Sequence, residues 1–199
     1  AWEMHGNFPD ILKDAKIGVE ATKLYNDANA LLDKIIAEKW LTAKGVIGFW
    51  EAASDGDEVE IKNQDSRVKL EFLRQQMQKS TNQPNFSLAD FIAPKEVKKQ
   101  DFIGAFAVTL HGIEPHVKAF EAAHDDYNKI MLQALADRFA EAFAECLHEK
   151  VRRDFWGYAK DERRSKEDLI KERYVGIRPA PGYPACPDHT EKCKLFNLL

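Results

Sequence analysis

Gly45-Val-Ile-Gly-Phe-Trp-Glu-Ala-Ala-Ser-Asp-Gly-Asp-Glu-Val-Glu-Ile-Lys62 is the stretch on which the fold turns. Its second half, Glu58 to Lys62, alternates charged and apolar residues strictly, which puts Val59 and Ile61 on one face of a strand. Gly45 to Glu51 is short, apolar and partly β-branched, the composition of another strand. Asp55-Gly56 between them is a turn signal, because glycine accepts the backbone angles a tight reversal needs. The stretch predicts two antiparallel strands.

Upstream, Ala21, Leu24, Tyr25, Ala28, Leu31, Leu32, Ile35 and Ile36 recur at three- and four-residue steps, which predicts an amphipathic helix from Val19 to Lys39. Downstream, Val68 to Met77 is ambiguous: Val68, Leu70 and Phe72 alternate, whereas Leu73 and Met77 suit a helix. Leu88 to Ala93 and Phe102 to Leu110 read as strands joined across the basic loop Lys95 to Lys99. From Glu114 the character changes, and Ile130, Met131, Ala134, Leu135, Phe139, Phe143, Leu147 and Val151 step along one face of a long, alanine-rich helix. Ser165-Lys-Glu-Asp168 has the form of a capping box and predicts a short helix to about Tyr174; Leu195 to Leu199 starts another amphipathic helix. Strands and helices are thus segregated along the chain, which favours an α+β fold over a doubly wound sheet.

With 199 residues, 31% of them charged and 44% hydrophobic, the chain is long enough for a sizeable core. A net charge of −4 and a pI near 5.9 provide no broad basic field, so no nucleic-acid partner is expected. No apolar run approaches the roughly 20 residues that span a bilayer, and the start Ala1-Trp-Glu-Met-His has no basic region before an apolar core. No membrane association is expected. Cys146, Cys186 and Cys193 are an odd set, expected as thiols in the cytoplasm.

The chemistry concentrates in Arg178-Pro-Ala-Pro-Gly-Tyr-Pro-Ala-Cys-Pro187, which holds four of the eight prolines. Proline fixes φ and lacks an N–H, so the segment is a rigid loop. Arg178 offers a planar fork for a carboxylate or phosphate, and the competing reading is a surface salt bridge. Tyr183 either stacks on a flat ring or fills a core position. Asp137, Glu141 and Glu145, at four-residue intervals, line one edge of the long helix. Such a row is either a solvated face or, given the surrounding alanines, an edge partly covered and attractive to a cation. Cys186, His189 and Cys193 lack an evident fourth ligand for zinc, and no metal site is expected. G-x-G-x-x-G, P-loop and G-x-S-x-G motifs are absent.

Gly176-Ile-Arg-Pro-Ala-Pro-Gly-Tyr-Pro-Ala-Cys-Pro-Asp-His-Thr-Glu-Lys192 resembles the signature of the activation, or reactivation, domain of cobalamin-dependent methionine synthase. Further segments agree in order: Trp2 with Phe8-Pro9, Gly18-Val-Glu-Ala21, Gly45-Val-Ile-Gly-Phe49, Leu73-Arg-Gln-Gln76, Leu88-Ala-Asp-Phe-Ile-Ala-Pro94, Asp126-Tyr-Asn-Lys-Ile-Met131 and Ala134-Leu-Ala-Asp-Arg138. The resemblance implies a C-shaped α+β domain around a twisted antiparallel sheet, with S-adenosylmethionine in a shallow groove. It implies that Arg178 holds the methionine carboxylate, that Ala180, Gly182 and Tyr183 shape the ligand's surroundings, and that Glu141 and Glu172 face its amino and sulfonium side. Asp137 would meet the cobalamin-binding module when the two dock.

On the same resemblance, the function is reductive methylation of cob(II)alamin with an electron from a flavodoxin-type reductase. The parent enzyme transfers methyl from methyltetrahydrofolate to homocysteine. Cobalamin belongs to a neighbouring domain, and zinc to the homocysteine module. The family domain also carries an aspartate-bearing segment before the position of Trp2 and a tyrosine-bearing segment beyond Leu199. Residues 1–199 are therefore expected to lack both edges of the domain and to bind S-adenosylmethionine less tightly, each lost charged hydrogen bond costing about 1.5–3 kcal/mol. The alternative function is an interaction module that docks the cobalamin domain or the reductase without taking up the ligand.

Overall fold

The computed structural model describes residues 4–64, 66–77 and 83–199; Trp2 lies outside them. The predicted hairpin forms between β1 (Thr42–Asp55) and β2 (Glu58–Asn63), antiparallel, with Asp55 opposite Glu58 and Glu51 opposite Lys62. Gly56 makes the reversal at φ +63°, in the left-handed region that favours glycine. β3 (Ser66–Glu71) pairs antiparallel with β2, and β4 (Asp101–His111) lies on the other side of β1, giving the sheet order β3-β2-β1-β4. Val68 to Met77 resolves as the end of β3 followed by irregular chain.

The chain forms two compact units. One comprises residues 45–107 and 148–199. Its core follows from the alternation in β2: Val59 and Ile61 are fully buried against Ala52, Leu70, Phe72, Ala89, Ile92 and Cys186. The opposite face of β2 and β3 is laced with ion pairs, Lys69 to Glu58 at 2.7 Å and Arg67 to Glu60 at 2.5 Å. The other unit comprises residues 1–44 and 108–147. There α1 (Gly18–Ala37) buries Leu31 and Ile35 with Met131 and Leu132 of α3 (Asp126–Lys150), and Val117 and Phe120 of α2 (Ile113–Ala122) pack beside them. These are the apolar positions that the helical periodicity selects.

One expected strand is overturned. Leu88 to Ala93 is no strand: Leu88–Phe91 is a 3-10 turn started by a capping box. The Ser87 hydroxyl accepts from the Ala89 N–H and the Asp90 carboxylate accepts from the Ser87 N–H. Ser87 also donates to the Phe72 carbonyl, and Arg74 ties Asp90 to Asp57. Local capping here outweighs the β-like composition of an apolar run.

The long helix α3 passes directly into a π-helical turn, Val151–Phe155. The capping residue Ser165 starts α4 as predicted, its hydroxyl accepting from the Asp168 N–H, but α4 spans only Lys166–Ile170. Glu172 takes the left-handed conformation at φ +53° and donates its N–H back to Leu169, which closes the helix before Tyr174. α5 (Lys192–Leu198) follows the proline loop. Among the described residues no helix is long and apolar enough to cross a membrane.

Candidate functional site

Arg178 to Cys186 folds back on itself. The Tyr183 N–H donates to the Ala180 carbonyl at 3.0 Å, the Gly182 N–H to the Cys186 carbonyl at 2.9 Å, and the Cys186 N–H to the Tyr183 carbonyl at 3.0 Å. The Cys186 thiol donates to the same Ala180 carbonyl. Three prolines leave few amides in this segment, and those of Gly182, Tyr183 and Cys186 close on carbonyls within it, so the loop is stiff in both φ and hydrogen bonding. Its far end is fastened to the core: the Ala185 carbonyl accepts from the Leu88 N–H, and Cys186 is buried. Burial pushes the Cys186 thiol up from its ordinary value, which leaves it a packing group and not a nucleophile.

Gly182 is required where it stands. It has φ +104°, and a Cβ built there would lie 2.4 Å from Cε1 of His189. The imidazole therefore occupies the space a side chain would take. Tyr183 projects outward, 64% exposed, so the core-tyrosine alternative does not apply and its ring face is available. Arg178 is half-buried at the loop's start. Glu172, exposed, precedes it on the same unit.

Behind Arg178 stands a buried cluster that the sequence did not single out. Arg152, in the π-helical turn, is completely buried. Its Nε and Nη2 donate to Oε1 of Glu162 at 3.1 and 2.7 Å, and its Nη1 donates to Nδ1 of His148 at 2.8 Å. An arginine can only donate, so His148 is the neutral tautomer with its proton on Nε2. Burial, with the charges of Arg152 and Arg178, pushes the His148 pKa down to about 3. The guanidinium carbon of Arg152 lies 4.3 Å from the centre of the Tyr174 ring, and His148 meets that ring edge-on at 4.9 Å. The four-residue step from His148 to Arg152 was visible in the sequence, but the link to Glu162 ten residues on had no local signal.

Glu141 and Asp137 lie on α3 in the other unit. Both are exposed, and Glu141 pairs with Arg138 at 2.9 Å, so of the two readings of this row the solvated face holds for these two. Glu145, next in the row, is half-buried. Cys186 is buried and Cys193 exposed, and among the described residues no group of three or more His, Cys, Asp or Glu could hold a metal ion. A groove of about 470 Å³ on the sheet-bearing unit is lined by Glu51, Glu60, Lys62, Arg67, Lys95 and Lys98 among others. Lys62, Arg67 and Lys95 are matched there by Glu51, Glu60 and Asp55, and none of the loop residues lines it.

Residues 1–199 match the family model described as the activation domain of vitamin B12 dependent methionine synthase. Among solved structures the chain is similar to the crystal structure of a MetH reactivation domain bound to AdoHcy, with 54% sequence identity and a TM-score of 0.88. All of this chain is covered by that match, and it spans 62% of the length of that chain. A family match over every residue and an α+β fold shared at that identity lead to one conclusion: the chain belongs to the activation-domain family of vitamin B12-dependent methionine synthase.

Proposed function

We propose that this chain binds S-adenosylmethionine at the Arg178–Tyr183 loop and supports reductive methylation of cob(II)alamin within a methionine synthase. The observation that carries the reading is the loop itself: a self-closed proline segment with a half-buried guanidinium at its start and an exposed tyrosine ring at its turn. The relative's bound AdoHcy is the demethylated form of the same ligand. The residues fit it chemically. Arg178 suits the carboxylate through its fork, the Tyr183 ring suits the flat heterocycle, and Ala180 and Gly182 supply the close backbone wall between them. Glu172 is the carboxylate of this unit assigned to the ammonium and sulfonium side, and Asp137 the contact for the cobalamin-binding module.

S-adenosylmethionine supplies a sulfonium methyl group, and a flavodoxin-type reductase supplies the electron. The chain's own residues bind and orient; a positioned methyl donor is a proximity contribution that needs no acid, base or nucleophile from this chain. Methyl transfer from methyltetrahydrofolate to homocysteine, the cobalamin and the homocysteine-site zinc belong to other modules. The three free thiols suit the cytoplasm as the working compartment.

Calorimetric titration of S-adenosylmethionine into this chain and into its Arg178→Ala form tests the reading. Loss of a charge-assisted pair predicts binding weaker by about 2–3 kcal/mol in the variant. Equal heats from both would remove Arg178 as the anchor. The exposed aromatic row Phe155, Trp156 and Tyr158 favours a second role in protein docking. A pull-down with the cobalamin-binding module, with and without S-adenosylmethionine, separates the two roles.

A further inference from the structure

Arg152 is an expensive way to fill a core. A buried ion pair with complete geometry is often matched or bettered in stability by apolar side chains of similar volume. What the guanidinium gives that an apolar group does not is a flat surface fixed in direction, here by Glu162 on two nitrogens and by His148 on a third. That surface carries the Tyr174 ring at 4.3 Å. Tyr174 leads through Gly176 to Arg178, and Gly176 is itself held at φ +97° where a Cβ would come within 2.8 Å of the Tyr158 hydroxyl. The short segment before the loop is thus fixed at two points, one by stacking and one by close packing. Arg152 stands in a π-helical turn, Val151–Phe155, and such turns are a frequent feature of functional sites.

We propose that Arg152 is the positioning residue of the ligand loop: clamped by Glu162 and His148, it holds the Tyr174 ring and through it the backbone that delivers Arg178. The ligand part of this inference rests on Arg178 being the anchor for S-adenosylmethionine; the loop-ordering part does not.

The test uses the full chain with Tyr174→Leu, which removes the ring, and Tyr174→Phe, which keeps it. Amide hydrogen exchange at Gly182, Tyr183 and Cys186 reports the loop directly. Tyr174→Leu is expected to speed that exchange by about tenfold and to weaken S-adenosylmethionine binding by a similar factor, with thermal stability nearly unchanged. Tyr174→Phe restores both. A merely structural ring would lower thermal stability without that pattern of loop exchange and rescue. The paired variant Arg152→Met with Glu162→Leu, which leaves no buried charge alone, is expected to reproduce the Tyr174→Leu exchange pattern. Exchange unchanged in Tyr174→Leu, or Tyr174→Phe no better than Tyr174→Leu, overturns the proposal. If the parent chain takes up no S-adenosylmethionine, the binding reading fails, and the exchange pattern alone decides whether Arg152 positions the loop.

Discussion

Gly182 shows how one residue joins loop shape to ligand chemistry. Its N–H closes on the Cys186 carbonyl, its φ is +104°, and the His189 ring lies where a Cβ would go. Gly182→Ala therefore meets two obstacles, a left-handed backbone costing about 1–2 kcal/mol and a collision with an imidazole. The expected outcome is an opened loop with binding of S-adenosylmethionine weakened by about tenfold or more, measured by calorimetry beside amide exchange at Gly182. Unaltered affinity in a folded variant would show that the loop backbone does not shape the site. The sequence already carried this residue, together with Arg178 and Tyr183, because proline and glycine declare their backbone roles locally. It did not carry Arg152, whose partners Glu162 and Tyr174 are distant along the chain, nor could it tell an exposed Tyr183 from a buried one.

At the level of elements, periodicity succeeded where burial was regular and failed where local capping competed. The helix predicted over Val19 to Lys39 forms as Gly18–Ala37, and Glu58 to Lys62 forms β2, because in each the apolar spacing matches a single buried face. Leu88 to Ala93 misled, since its apolar character serves burial of Ala89 and Ile92 in a turn, and the deciding signal was Ser87 on its flank paired with Asp90 within it. The same signature at Ser165 and Asp168 was legible, although the helix it starts is cut short by the left-handed Glu172. This gives a prediction at the element scale. Ser87 is fully buried, caps the Leu88–Phe91 turn and donates to the Phe72 carbonyl, so Ser87→Ala removes the cap and leaves a buried carbonyl without that donor. A loss of about 2–3 kcal/mol is expected in urea unfolding, at the upper end for a single cap because two roles are lost together. A loss within a few tenths of a kcal/mol would mean that the turn is held by Arg74 and its two carboxylates instead.

For the whole molecule, the protonation of one buried ring sets how stability responds to mild acid. His148 is 4% exposed, accepts from Arg152, lies near the charge of Arg178 and packs against Tyr174 and Phe106, none of which favours a proton. Its folded pKa of about 3 lies below the ordinary 6.5, so the unfolded chain binds the proton more readily. The stability this contributes is complete above pH 6.5 and is lost as pH falls toward 3. At pH 5 the expected loss is about 2 kcal/mol, from one and a half pH units at about 1.4 kcal/mol each. The carboxylates held low by hydrogen bonds, among them Asp90 beside Arg74 and Asp168 beside Ser165, act in a lower window. Their contribution is present above the ordinary 3.8 and disappears as pH falls through their folded values. Urea unfolding at pH 7 and pH 5 therefore isolates the histidine. His148→Gln offers Arg152 an amide oxygen in place of the ring nitrogen and has no proton to gain, so its stability should change far less over that interval. Equal losses in the parent chain and in His148→Gln would place the acid sensitivity elsewhere and leave the neutral histidine as packing alone.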